Sequence, residues 1–209
     1  MSTALRLTPV EARVIAALSE KSIATPQYYP MTVNAIMLAS SQKSCRDPVM
    51  RLHEGEVGAT LLGLADKGLC ARDDAGGRVP KWRQSFQHYL LLQPPAFAVL
   101  VTLMLRGPQT QSELRGNAAA LGGPADADAV ARVLADLGDR AEPLVAQLQR
   151  GHGQKEARYA HTLSGPPELP AVAPPAPPAA EPSRGALAEL EEKVRALEAR
   201  VAALEAKNP

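Results

Sequence analysis

The sequence predicts a mainly α chain with small β-hairpins, an α+β protein built from two similar units and a separate C-terminal helix. Three observations predict it. Aromatic residues are only 3% of the 209, so Ala, Leu and Val must fill the interior, which favours aliphatic helical cores over an aromatic-rich sandwich. Two stretches ahead of residue 166 repeat one order of helix and strand signals. Between Pro166 and Pro182, 8 of 17 residues are proline, a density at which neither helix nor sheet can form.

The first helix is announced by a capping box, with Thr8 at the N-cap, Pro9 in the first turn and Glu11 three residues on. Its apolar face carries Val10, Val14, Ala17 and Leu18. A second helix runs from Pro30-Met31-Thr32 toward Ile36, and a third from His53 to Lys67 with Val57, Leu61 and Leu64 on one side. The segments Leu69 to Arg72 and Arg78 to Arg83 then flank Asp74-Ala75-Gly76-Gly77, which reads as strand, turn, strand. The second stretch repeats this order. Leu92-Gln93-Pro94 leads to Val99, Leu100 and Leu103, and Thr110 with Glu113 forms another capping box. A third helix spans Ala125 to Gly138, and a hairpin joins Leu144 to Leu148 with Ala157 to Ala160. Equivalent residues draw closer along the chain, so the first copy has the longer loops. Three helices closed by a hairpin describe a winged helix. The expected architecture is therefore two tandem winged-helix domains (5–90 and 91–165), a Pro/Ala-rich linker (166–183) and a coiled-coil helix (184–207).

The tail carries Leu187, Leu190, Val194, Leu197, Val201 and Leu204, whose spacings alternate between three and four. That is a narrow a/d seam, with Val at two a positions and Leu at the d positions, a choice that favours parallel dimers. Lys193 with Glu198 and Arg200 with Glu205 add attractive g-to-e pairs across such a dimer. A homodimer through this helix is expected.

The segments TPQYYPMTVN (25–34), SQKSCRDPVM (41–50), GRVPKW (77–82), LMLRGPQT (103–110) and KEARY (155–159) point to one family. Over about residues 5 to 165 the chain resembles the YceH-like bacterial proteins. The resemblance implies two tandem winged helices, a C-terminal coiled-coil helix as in relatives, and no assigned activity. The family pattern has asparagines where Ser41 and Cys45 stand.

Enzyme chemistry finds little support in the residues. The four histidines, His53, His88, His152 and His161, are scattered, and none has cysteine or carboxylate neighbours at metal-ligand spacing. Gly122-Gly123 lies between helices and Gly76-Gly77 in a turn, so neither forms a phosphate loop after a strand. No cofactor, metal or catalytic residue is expected. Two cysteines, Cys45 and Cys70, suit a reducing cytoplasm. The longest apolar run, Ala96 to Leu105, is about half of what a membrane helix needs, and no secretory signal opens the chain, so no membrane partner is expected.

Two functions from different classes remain. Winged helices commonly bind duplex DNA with the third helix in the major groove and the wing against phosphate. Here the first third helix carries Glu54, Glu56 and Asp66, and the second Asp126, Asp128 and Asp136, a poor match to a polyanion. Positive charge gathers instead on the loop and wing of the first copy. Residues 1–93 hold 11 Lys and Arg against 8 Asp and Glu, the only net-positive segment. The leading expectation is a non-enzymatic, DNA-binding or transcription-associated protein that meets phosphates through Lys43, Arg46, Arg78, Lys81 and Arg83, with Trp82 stacking on a sugar or base. For Trp82 the alternative is a packing aromatic of the strand, and for Arg46 a bond to Asp47 or to backbone carbonyls. The competing function is a protein-interaction scaffold whose winged helices contact protein partners.

Overall fold

Thr8 starts α1 (Pro9–Ala24) as the spacing predicts: its hydroxyl accepts from the Glu11 amide at 3.1 Å, and the Glu11 carboxylate accepts from the Thr8 amide at 2.8 Å. The coordinates are a computed structural model that describes residues 5–73, 79–149 and 156–166, and in the tail Glu192, Arg195, Glu198, Ala199 and Val201. After α1 come β1 (Met31–Thr32), α2 (Val33–Ser40), α3 (Glu54–Asp66), β2 (Cys70–Asp73), β3 (Lys81–Gln84) and the single turn α4 (Phe86–Tyr89). The second copy follows as α5 (Pro94–Arg106), α6 (Gln111–Ala118), α7 (Ala127–Gly138), β4 (Val145–Gln147) and β5 (Tyr159–His161). The protein is thus a mixture of helices and small antiparallel sheets.

Two features of this order escape a reading by local signals. The strand β1 joins the hairpin to give a three-stranded antiparallel sheet in the order β1-β3-β2, with Met31 opposite Trp82 and Thr32 opposite Lys81. A two-residue strand carries no periodicity, so only its partner reveals it. The other feature is the burial of α1, where every residue from Ala12 to Ser19 is buried rather than one face alone. The cause is α5, which packs on α1 in addition to α2 and α3, and is itself buried from Phe97 to Leu105. The two copies therefore share one continuous aliphatic core through their first helices. Phe86 and Phe97 meet edge to face in it, with ring centroids 6.0 Å apart.

The second copy is closed by similar devices. Thr110 and Glu113 complete their capping box, and the Asp126 carboxylate accepts from the Ala129 amide at 2.7 Å to start α7. Arg158, ahead of β5, donates to both carboxylate oxygens of Glu113 at 3.0 and 3.1 Å, which fastens the second hairpin to α6. At the end of α5, Gly107 has φ +69, and a Cβ there would stand 3.4 Å from the Asp47 carboxylate, so the first copy's long loop lies against it. The Asp47 amide donates to the Leu105 carbonyl at 2.8 Å.

In the tail, Val201 is helical and 51% exposed. The other seam residues, Leu187, Leu190, Val194, Leu197 and Leu204, lie outside the described residues, as does the proline-rich stretch beyond Pro166.

Candidate nucleic-acid interface

The loop that joins α2 to α3 is pinned from below by two arginines. Arg13, 2% exposed although it sits within the apolar run of α1, donates to the Ser40 carbonyl at 3.3 Å and the Pro48 carbonyl at 2.7 Å. Arg46, with 5% of its surface exposed, uses every nitrogen of its guanidinium inside the protein. Its Nε donates to the Ala39 carbonyl at 3.1 Å, and Nη1 to the Cys45 carbonyl at 2.9 Å. Nη1 and Nη2 reach the two Glu20 oxygens at 3.2 and 2.5 Å, and Nη2 also donates to the Gln42 side-chain oxygen at 2.8 Å. Burial pushes the Glu20 carboxyl up, but the hydrogen bonds and charge of Arg46 outweigh it and hold the group below the usual carboxylate range. This corrects the expectation for Arg46. A guanidinium whose five N–H groups go to a bidentate carboxylate, two main-chain carbonyls and the Gln42 amide oxygen has no donor left for phosphate. Lys43, on the same loop, is exposed.

Cys45 holds φ +60 beside Arg46, a left-handed backbone that few residues other than glycine adopt.

On the hairpin the strand alternation divides the candidates. Trp82 is 4% exposed, paired with Met31 and packed in the core on the α1 side of the sheet. It is the packing aromatic, and the stacking role is corrected accordingly. Lys81 and Arg83 lie on the opposite, outward side. Arg83 forms an ion pair with Asp73 and holds its guanidinium 5.9 Å from the centre of the Tyr29 ring, so it is engaged from two directions. Arg78 lies outside the described residues. Among the described residues, neither Lys43 nor Lys81 has a carboxylate partner.

The third helices turn acidic surfaces outward. On α3 the exposed residues are Glu54, Gly55, Glu56, Ala59, Leu62 and Asp66, and Leu62 is 59% exposed. Lys67, which follows α3, is paired with Glu11 at 2.7 Å. On α7 the outward residues include Asp128, Arg132 and Asp136. Leu38 on the neighbouring α2 is 60% exposed.

Elsewhere the chemistry is quiet. The Cys70 thiol is buried, donates to the Leu61 carbonyl, and is pushed up to about 12 by burial, so it is no nucleophile near neutral pH. Among the described residues no group of three or more His, Cys, Asp or Glu gathers closely enough to hold a metal ion. No helix among them is long and apolar enough to cross a membrane.

A family model described as "Protein of unknown function, DUF480" matches residues 7–154. A UPF0502 protein of Geobacter sulfurreducens is 46% identical over 172 residues, covering 81% of this chain and 78% of its own. Another, of Pelobacter propionicus, is 48% identical over 159 residues, covering 76% and 73%. One of Azoarcus is 44% identical over 192 residues, covering 90% and 85%. The chain belongs to the DUF480/UPF0502 family. This is the YceH-like family that its loop and hairpin segments resemble. The DUF480 match takes in the first helix–hairpin repeat with its arginine-pinned loop and the second repeat as far as β4, and stops ahead of β5. The pinning arginines were the residues least visible in sequence. Arg13 left one signal, a charge within the apolar run of α1, whereas nothing local links Arg46 to Glu20.

Proposed function

We propose that this DUF480 protein is a non-enzymatic tandem winged-helix protein that works as a protein-interaction scaffold. The recurrence of three helices and a hairpin, α1-α2-α3-β2-β3 and then α5-α6-α7-β4-β5, supports the winged-helix reading. One observation carries the choice of partner: the outward surface of α3. In the major groove it would set Glu54, Glu56 and Asp66 against phosphate with no base-reading Arg, Asn or Gln beside them. Leu62 and Leu38 instead expose apolar surface of the kind protein interfaces bury. The DNA-binding reading retains Lys43, Lys81 and Arg78, and phosphate contact by that set is the alternative.

A gel shift on mixed duplex over a range of salt separates the two. The expected result is no retained band. A band that weakens steeply with salt, and is lost alike for all duplexes in the Arg78→Ala/Lys81→Ala double variant, would establish the DNA reading in its place. For the scaffold, Leu62→Asp should remove proteins recovered with the wild type after nuclease treatment.

The tail seam supports a parallel homodimer, with Val194 and Val201 at a and Leu190, Leu197 and Leu204 at d. Its three heptads are short, so association should be weak. Deleting residues 184–209 should lower the mass seen by light scattering and leave the thermal transition of the remainder nearly unchanged. A full-length protein that stays monomeric well above micromolar concentration overturns the dimer.

A further inference from the structure

The turn after α4 places a leucine where a glycine would be expected. The Leu91 amide donates to the His88 carbonyl at 3.0 Å and the Leu92 amide to the Gln87 carbonyl at 3.1 Å, a Schellman pattern that ends the helix. Leu91 occupies its left-handed position with φ +52. Glycine adopts that conformation freely, whereas a leucine Cβ crowds the following carbonyl. Burial does not compensate for the crowding, since the Leu91 side chain is 76% exposed. A side chain that is both sterically disfavoured and unburied contributes nothing evident to folding.

Leu91 stands at the edge of a cleft of about 1050 Å³. Tyr89, 49% exposed, lines it beside Leu91, and the buried Leu90, Leu144 and Leu163 make its apolar wall. Two cations line the same cleft. Arg6 donates to the Thr162 carbonyl at 3.0 Å, and Arg140 to the Leu90 carbonyl at 2.8 Å. Each main-chain anchor fixes a guanidinium on the wall with further N–H groups left over, and among the described residues neither has a carboxylate partner. One acid, Glu142, lines the cleft against these two charges.

We propose that this cleft is a docking site for an acidic–aliphatic peptide segment of a partner protein. An Asp or Glu of the segment pairs with Arg140 and Arg6, and a Leu or Ile beside it packs on Leu91 and Tyr89. Charge complementarity selects the acid, since two anchored guanidinium groups favour a carboxylate over a neutral or basic segment. The exposed apolar rim selects the aliphatic neighbour, which removes Leu91 from water. The inference rests on the protein-interaction reading for the nature of the partner, and uses a surface distinct from α3.

A random peptide display library selected against the full-length protein tests it. The enriched sequences should share an Asp or Glu next to Leu or Ile, and a fluorescein-labelled consensus peptide should bind with an affinity that falls as salt rises. Leu91→Gly and Arg140→Gln should each weaken that peptide at least about tenfold, which corresponds to roughly 1.4 kcal/mol. The Leu91→Gly protein should melt no lower than the parent, so its loss of binding cannot come from unfolding. Arg6→Gln, on the exposed chain entry, provides a second charge test if Arg140→Gln disturbs the Leu90 turn. A consensus without acid, or one that binds the Leu91→Gly and Arg6→Gln proteins as tightly as the parent, overturns the site while leaving a scaffold role intact. A salt-sensitive duplex shift would overturn the scaffold role without altering these peptide affinities.

Discussion

Replacing Arg46 with methionine should cost about 3–5 kcal/mol of folding stability, the usual range when one member of a buried ion pair is removed. Methionine fills similar space, but it leaves the Glu20 carboxylate facing the interior with its main partner gone. The carbonyls of Ala39 and Cys45 lose their donors as well. Urea unfolding should show a lower midpoint with an unchanged slope. The double variant Glu20→Gln/Arg46→Met should recover a large part of the loss, because the unpaired charge is the main penalty. An unchanged midpoint in Arg46→Met would return this residue to the surface set and revive its phosphate role.

Acid should destabilise the protein in a window set by His161. Burial pushes this imidazole down from its ordinary 6.5 to about 4, and its Nδ1 is buried without a hydrogen-bond partner among the described residues. The folded protein therefore favours the neutral ring, and the unfolded chain takes up the proton first as pH falls. The contribution is complete above about 6.5 and declines until the folded form also protonates near 4, an integrated loss of about 3 kcal/mol. Thermal melts between these limits should show the decline, and His161→Leu should flatten it. Glu11 and Glu20, both held below the usual carboxylate range, add their losses at lower pH. A wild type whose melting temperature stays level between 6.5 and 4 would refute the buried neutral imidazole.

Much of the helix order was legible because its signals are local. Thr8 with Glu11 and Thr110 with Glu113 start their helices from within a single turn of chain, and both boxes form as spaced. The hairpin was legible for the same reason, as a turn-rich stretch between two alternating segments. The alternation also set Trp82 on one side of β3 and Lys81 and Arg83 on the other. It did not say which side the core would take. That depended on α1 lying across the sheet, a contact between segments far apart in the chain. The candidate site divided along the same line. Lys43 is exposed as a loop cation should be, while Arg46, three residues on, was claimed by a glutamate on α1.

By itself the sequence determined the order of helices and hairpins, the family, and the acidity of the third helices. These rest on composition, on periodicities of two and 3.6 residues, and on caps whose partners lie three or four residues away. Only the tertiary structure decided which charges meet water. It buried Arg13 and Arg46 beneath one loop, joined Arg83 to Asp73, and set Arg6 and Arg140 around a cleft edged by Leu91. It also merged the cores of the two copies by burying α1 and α5 against each other. The physical reason is that a charge is suited to the interior only when a specific partner satisfies it there. Partners such as Glu20 and Arg46 are brought together by packing, and no local pattern encodes their meeting.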